Sequence, residues 1–139
     1  MTPLQVAEVQ RTFSLVVPIK DKAAEIFYGR LFDLDPSLAK LFKGDMKEQG
    51  KKLMSTLATV VAGLSSPKSI LPAVEALGRK HVGYGVEDRH YDTVGAALLW
   101  TLGQGLGKAF TAEVKEAWTA AYTLLAGVMK EGAKKARAA

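Results

Sequence analysis

An all-α fold is what this sequence predicts, and three observations support the prediction. Apolar residues recur with a helical period in every long segment. No stretch alternates apolar and polar residues as a half-buried strand would. Prolines, glycines and N-cap residues stand between the apolar stripes, where helices would begin and end. About six long helices and one or two short ones then account for residues 1–139 as a single domain.

The first half of the chain divides at its prolines. The first helix starts after the N-cap Thr2, with Pro3 at the first helical position, and Pro18 interrupts its pattern. A second helix runs on to Pro36. The segment "DPSLAKLFKGD" is then a short connection, rich in helix breakers, that carries the bulky side chain of Phe42.

Four further helices fill the second half. Gln49 lies in the apolar stripe of the third helix, which "SSP" at residues 65–67 ends. The fourth helix carries four residues within about 60° of one another on a helical wheel: Ile70, Val74, Leu77 and His81. Two long helices close the chain. One has an apolar stripe from Tyr91 to Leu106, and Thr111 caps the other.

Composition excludes several kinds of chemistry. The chain has no cysteine, which excludes disulfides, thiolate nucleophiles, iron–sulfur clusters and thioether-attached haem. It has only two histidines, His81 and His90, so any metal site must use very few protein ligands. No apolar run is long enough to span a membrane, and the N-terminus lacks the pattern of a secretory signal. We therefore expect a cytoplasmic protein with no membrane insertion.

The net charge is +5, and lysines gather in two clusters, one over residues 40–52 and one over residues 130–139, which includes the C-terminal tail over residues 132–139. Such clusters are usually solvated helix faces, and we expect the tail to be frayed. An attraction to an acidic partner or to nucleic acid is the alternative. Aromatic residues are not interleaved with these lysines, so we expect no binding to nucleic acid.

Three polar side chains lie on faces that should be buried: Tyr28, Gln49 and His81. A buried amide without a partner costs about 1–3 kcal/mol, and a buried tyrosine hydroxyl also needs a partner. The three could be separate core residues, each with its own hydrogen bond. The more economical hypothesis is one apolar slot that holds a cofactor, with His81 on one side and the other two serving a small ligand.

The sequence also resembles a known family. The matching segments are "FYGRLF", "PSLAKLF", "EQGKKLM", "LGRKHVGYGV", "RHYDTVG" and "AWTAAY", which together cover nearly the whole chain in register. They are similar to the globins, most closely to the single-domain bacterial haemoglobins related to the globin part of flavohaemoglobins. The resemblance implies a globin fold of about seven to eight helices around a b-type haem.

The resemblance also implies roles for individual residues. His81 would be the iron ligand, and its second ring nitrogen would donate to the backbone carbonyl of Leu77. Arg79 or Lys80 would meet the anionic propionates, or would be solvated. The residues implied to contact the haem are His81, Phe42, Leu53, Leu77, Val86, Val94 and Leu98.

On the distal side the resemblance implies that Tyr28, Gln49 and Leu53 surround a small ligand: dioxygen, nitric oxide or carbon monoxide. The function expected is reversible dioxygen binding, for storage, delivery or scavenging. The alternative is a nitric oxide dioxygenase that works with a separate reductase, for which the lysines of residues 40–52 would form a docking face. A haem-free basic helical bundle that binds nucleic acid is the remaining possibility.

One position departs from the pattern of the family. Flavohaemoglobin-like proteins polarise the proximal histidine through a tyrosine–glutamate pair. Tyr91 fits the tyrosine, but Ala133 stands where the carboxylate is expected, and Glu131 is two residues away. Two residues on a helix turn a side chain by about 200°. We therefore expect weak polarisation of His81.

Overall fold

The computed structural model describes residues 1–138 and confirms the all-α class. Three short 3₁₀ turns, Val17–Ile19, Pro36–Leu41 and Gly107–Ala109, join some of the helices. The six α-helices are α1 (Pro3–Val16), α2 (Lys20–Leu34), α3 (Met46–Gly63), α4 (Pro67–Gly83), α5 (Asp88–Leu106) and α6 (Ala112–Ala138). Within residues 1–138, no helix has both the length and the apolar character needed to cross a membrane.

Two helices begin at the capping residues that the sequence predicted, Thr2 and Thr111, and a third has a cap that was not predicted, Asp45. Thr2 and Gln5 form a reciprocal capping box at the start of α1, with Pro3 in the first turn. The carboxylate of Asp45 accepts from the amide of Lys47 and caps α3. The Thr111 hydroxyl accepts from the amide of Val114 at 3.3 Å. These side chains satisfy amides that have no partner inside the helix.

The C-terminal tail differs from the expectation. Residues 132–139 were expected to be frayed, but α6 continues without a break to Ala138. Gly132 and Ala133 are buried against the rest of the protein. Lys135 forms an ion pair with Glu75 of α4 at 2.9 Å, so the lysine-rich sequence has folded partners that composition alone does not reveal.

The core lies where α6 packs against α1 and α4, and where α2 packs against α5. Val9, Val114 and Leu31 are almost fully buried there. One polar pair crosses the core: the Trp118 indole donates to the Thr12 hydroxyl at 2.9 Å. Because each group satisfies the other, neither carries the cost of an unpaired buried polar atom.

Glycines bring α4 and α6 unusually close together. A Cβ added to Gly78 would overlap the backbone carbonyl of Met129, and a Cβ added to Gly132 would overlap the carbonyl of Glu75. The two glycines therefore allow backbone-to-backbone contact in both directions. Since α4 carries His81 one turn after Gly78, this contact determines where the histidine lies.

The substitution Gly132→Ala tests this contact. We expect it to lower the free energy of unfolding by about 1–3 kcal/mol, the usual cost of overpacking. Gly127→Ala is the matched control on the same helix, because a Cβ there meets nothing within 4 Å. The control should gain about 0.5–1 kcal/mol, since alanine is the better helix former. Urea unfolding measures both free energies, and equal effects would contradict the close approach.

Candidate functional site

A cavity of about 540 Å³ lies between α2, α3, α4, α5 and α6. This volume falls in the range of cofactor pockets, about 300–1,000 Å³. Most of its wall is apolar, with a few polar side chains. The wall includes every site residue that the sequence predicted: Tyr28, Phe42, Gln49, Leu53, Leu77, His81, Val86, Tyr91, Val94 and Leu98.

His81 lies in the last turn of α4 and is half-buried at the cavity wall. Its Nδ1 lies 2.6 Å from the carbonyl oxygen of Leu77, the contact that the sequence predicted. A carbonyl oxygen can only accept, so Nδ1 carries the proton and donates. In the neutral ring the lone pair is then on Nε2, and this nitrogen is the one free to bind a metal.

Tyr28 and Gln49 lie on another wall, formed by α2 and α3. A Cβ on Gly50 would lie 2.9 Å from the Cβ of Ala24, so the two helices touch next to both residues. The ring of Tyr28 packs edge-on against Phe42, with 5.3 Å between ring centroids. Burial raises the pKa of the Tyr28 hydroxyl, and hydrogen bonding from Gln49 partly offsets this rise. Two hydrogen-bond donors therefore meet in one apolar corner.

Tyr91 lies at the start of α5, and its hydroxyl is buried with no hydrogen-bond partner among residues 1–138. The position expected for a carboxylate holds the fully buried methyl group of Ala133, and Glu131 is exposed. Tyr122, which packs on Gly95, donates instead to the backbone carbonyl of Tyr91 at 2.6 Å. The Tyr91 hydroxyl thus remains an unsatisfied donor at the cavity wall.

The cations at the cavity are not those that the sequence suggested. Arg79 and Lys80 are exposed and do not line the cavity, and Arg79 bonds Glu75 at 3.2 Å. Lys43 and Lys52 line it instead. The sequence places Lys43 directly after Phe42 and Lys52 one helical turn after Gln49, but Lys80 is just as near to His81, so spacing alone does not distinguish them.

The second histidine has a structural contact of its own. His90 lines the cavity and is buried, but its Nδ1 accepts from the amide of Glu87 at 2.9 Å and caps α5. In return the Glu87 side chain accepts from the backbone of His90. Both ends of this reciprocal cap lie at the N-terminus of α5, so His90 holds that helix end in place.

Comparison with known proteins assigns the chain to a family. The globin family profile matches residues 25–129, about three quarters of the sequence. The chain belongs to the globin family, whose members bind haem. A flavohemoprotein from Xylella fastidiosa is 31% identical over 133 residues, covering 94% of this chain and 33% of the relative. A flavohemoprotein from Bordetella parapertussis is 34% identical over 129 residues, covering 88% and 32%. The chain thus spans about a third of the length of these relatives.

Two solved structures share the fold. An engineered carbene transferase and candidate nitric oxide dioxygenase from Rhodothermus marinus superposes with a TM-score of 0.89 at 22% identity, over 99% of this chain and 96% of the other. A hexacoordinated haem protein from an anhydrobiotic tardigrade has a TM-score of 0.88 at 14% identity, over 96% of both chains. At these identities the likeness establishes the fold alone.

The buried tyrosines predict how the protein responds to alkali. Burial raises the pKa of Tyr28, Tyr91 and Tyr122 above the ordinary value near 10. The unfolded chain loses these protons more readily, so stability is complete below about pH 10 and falls as the pH rises through the raised pKa values. Tyrosinate difference absorbance across a pH titration measures the raised pKa values. The substitution Tyr122→Phe should make the loss of stability with rising pH smaller. Ionisation of all four tyrosines together near pH 10 would contradict it.

Proposed function

We propose that this chain binds haem b through His81 and uses the haem to bind dioxygen reversibly. The observation that carries the proposal is the apolar cavity of about 540 Å³ with an imidazole at its wall. Because Nδ1 of that imidazole is committed to the carbonyl of Leu77, Nε2 is the nitrogen left for iron. Bound haem would supply an iron atom with one position open to a small gas molecule.

The cavity wall fits such a cofactor in three ways. Leu77, Val94 and Leu98 offer an apolar wall to a flat porphyrin. The cationic Lys43 and Lys52 line the same cavity and match the charge of two propionates. The buried hydroxyl of Tyr91 has no partner within residues 1–138, and a polar group of a cofactor would supply one.

On the distal side the chain offers hydrogen-bond donors to a small polar ligand. We propose that the Tyr28 hydroxyl and the Gln49 amide donate to dioxygen, each worth about 0.5–1.5 kcal/mol. Because burial raises the pKa of Tyr28, its hydroxyl keeps its proton at neutral pH and stays a donor. Leu53 would crowd the same space. Carbon monoxide, which is less polar when bound, would gain less from these donors.

Nitric oxide dioxygenase activity with a separate reductase is the second candidate function. It is favoured by the flavohemoprotein relatives, of whose length the chain covers about a third. In this reaction one nitric oxide, one dioxygen and one electron give one nitrate. The electron would come from a reductase, and the lysines of residues 40–52 are a candidate docking face. Nitrate formed over many turnovers with a reductase present would support the enzyme, and a single turnover would support the dioxygen carrier.

The lysines at the cavity provide a test of the cofactor. Haemin added to the wild-type protein should bind at one per chain. The double variant Lys43→Glu, Lys52→Glu should lose haem to excess apomyoglobin about two- to fivefold faster, the effect expected of partly exposed ion pairs. Lys80→Glu is the matched control, because this exposed lysine lies next to His81 but does not line the cavity. Equal rates for all three proteins would refute the assignment of the lysines.

The Tyr28 hydroxyl provides a test of the distal role. Tyr28→Phe keeps the ring and removes one donor, so the dioxygen dissociation rate should rise about two- to tenfold. Tyr84→Phe removes a hydroxyl from a tyrosine that is 58% exposed and packs edge-on against His81, and should leave the rate unchanged. Stopped-flow displacement of dioxygen by carbon monoxide measures both. An unchanged rate in Tyr28→Phe would exclude the proposed role.

A further inference from the structure

The end of α6 reaches the segment that follows His81. One guanidinium nitrogen of Arg137 donates to the backbone carbonyl of Val86 at 3.1 Å, and the other lies 3.3 Å from the carboxylate of Asp88. Val86 lines the cavity, and Asp88 begins α5. A single side chain from the last turn of the last helix therefore holds both the cavity wall and the start of the next helix.

Val86 connects this contact to the histidine. Its amide donates to the carbonyl of His81 at 3.0 Å, while its own carbonyl accepts from Arg137. Between the two residues lie Val82, Gly83, Tyr84 and Gly85, and Gly85 adopts a φ of +91° that only glycine takes easily. Turn hydrogen bonds to the carbonyls of His81 and Val82 shape this segment from within, and the Arg137 contact adds a restraint from another helix.

A second contact fixes the origin of Arg137. Lys135, two residues earlier, pairs with Glu75 of α4 at 2.9 Å. Gly132 lies against the backbone carbonyl of the same Glu75. The end of α6 is thus held to the helix that carries His81, and from there Arg137 reaches the segment on the far side of His81.

Stability alone does not account for this arrangement. The Arg137 side chain is 42% exposed and that of Asp88 is 61% exposed. Exposed ion pairs of this kind contribute little to the free energy of unfolding and weaken in salt. The bond to the Val86 carbonyl is different, because it constrains a residue whose own amide donates to the carbonyl of His81.

We propose that Arg137 is a positioning residue for the proximal side of the haem site. Through the Val86 carbonyl and the Asp88 carboxylate it holds the segment over residues 82–88 and so restrains the orientation of the His81 ring. This inference rests on the proposed function, since the orientation of His81 matters only when the ring binds iron. It also gives the basic C-terminal sequence a role other than docking or solubility.

The test compares Arg137→Ala with Lys134→Ala in the full chain. Lys134 is exposed on the same helix, so both variants lose one positive charge. We expect Arg137→Ala to transfer haem to excess apomyoglobin about two- to tenfold faster than wild type, the range for one hydrogen bond. Its iron–imidazole stretching frequency in resonance Raman spectra should shift, and amide hydrogen exchange over residues 84–88 should accelerate. Lys134→Ala should match wild type in all three measurements.

Arg137→Lys distinguishes positioning from charge. A single ammonium can pair with Asp88 but cannot also hold the Val86 carbonyl as the planar guanidinium does. In this variant the salt-sensitive part of the faster haem transfer should disappear. The shift of the iron–imidazole stretching frequency should remain.

Each opposite result has a clear meaning. If Arg137→Ala and Lys134→Ala both bind haem and do not differ in exchange, haem transfer or Raman frequency, Arg137 has no positioning role and the proposed function stands. If the wild-type protein takes up no haem, both proposals are overturned.

Discussion

The hydrogen bond from His81 Nδ1 to the Leu77 carbonyl is the interaction on which the rest of the site depends. At 2.6 Å it fixes the tautomer and the plane of the ring, and it leaves the Nε2 lone pair as the only one available to a metal. The bond is local to one turn of α4, so it also stiffens the helix end against the two glycines that follow. Without it, the imidazole would be a half-buried polar ring with two possible tautomers and no preferred direction.

That local bond is useful only if α4 itself is held in place, and this is the role of the contact with α6. Gly78 and Gly132 let the two backbones touch, which no pair of larger residues at these positions allows. The same helix, α6, brings Tyr122 to the carbonyl of Tyr91 and Arg137 to that of Val86. One long helix therefore supports three parts of the cavity wall around His81. In the same wall the hydroxyl of Tyr91 is buried without a hydrogen-bond partner in the part of the chain that the structure describes.

The residues of the cavity wall came mostly from the resemblance to the globins, whereas sequence periodicity was sufficient for the helices, since residues one or two turns apart must share a face. It brought Tyr28, Gln49 and His81 to one cavity because each lies in an otherwise apolar stripe. The resemblance also showed from the sequence alone that Ala133 stands where related proteins have a carboxylate. Periodicity could not reveal the ordered tail, because the partners of Lys135 and Arg137 lie about 50–60 residues away. Nor could periodicity predict that Lys43 and Lys52 line the cavity while Arg79 and Lys80 do not. The rim of a cavity depends on how the helices cross.

The most direct measurement is the absorption spectrum of haem-loaded His81→Gly before and after addition of free imidazole. Removing the ring leaves space at the end of α4, and small imidazole can enter it to take the vacated coordination position. We expect the variant alone to show an altered Soret band and rapid haem loss, and added imidazole to restore the wild-type spectrum. A variant whose spectrum equals that of wild type without imidazole would show that iron is held by some other residue, and the assignment of His81 would be wrong.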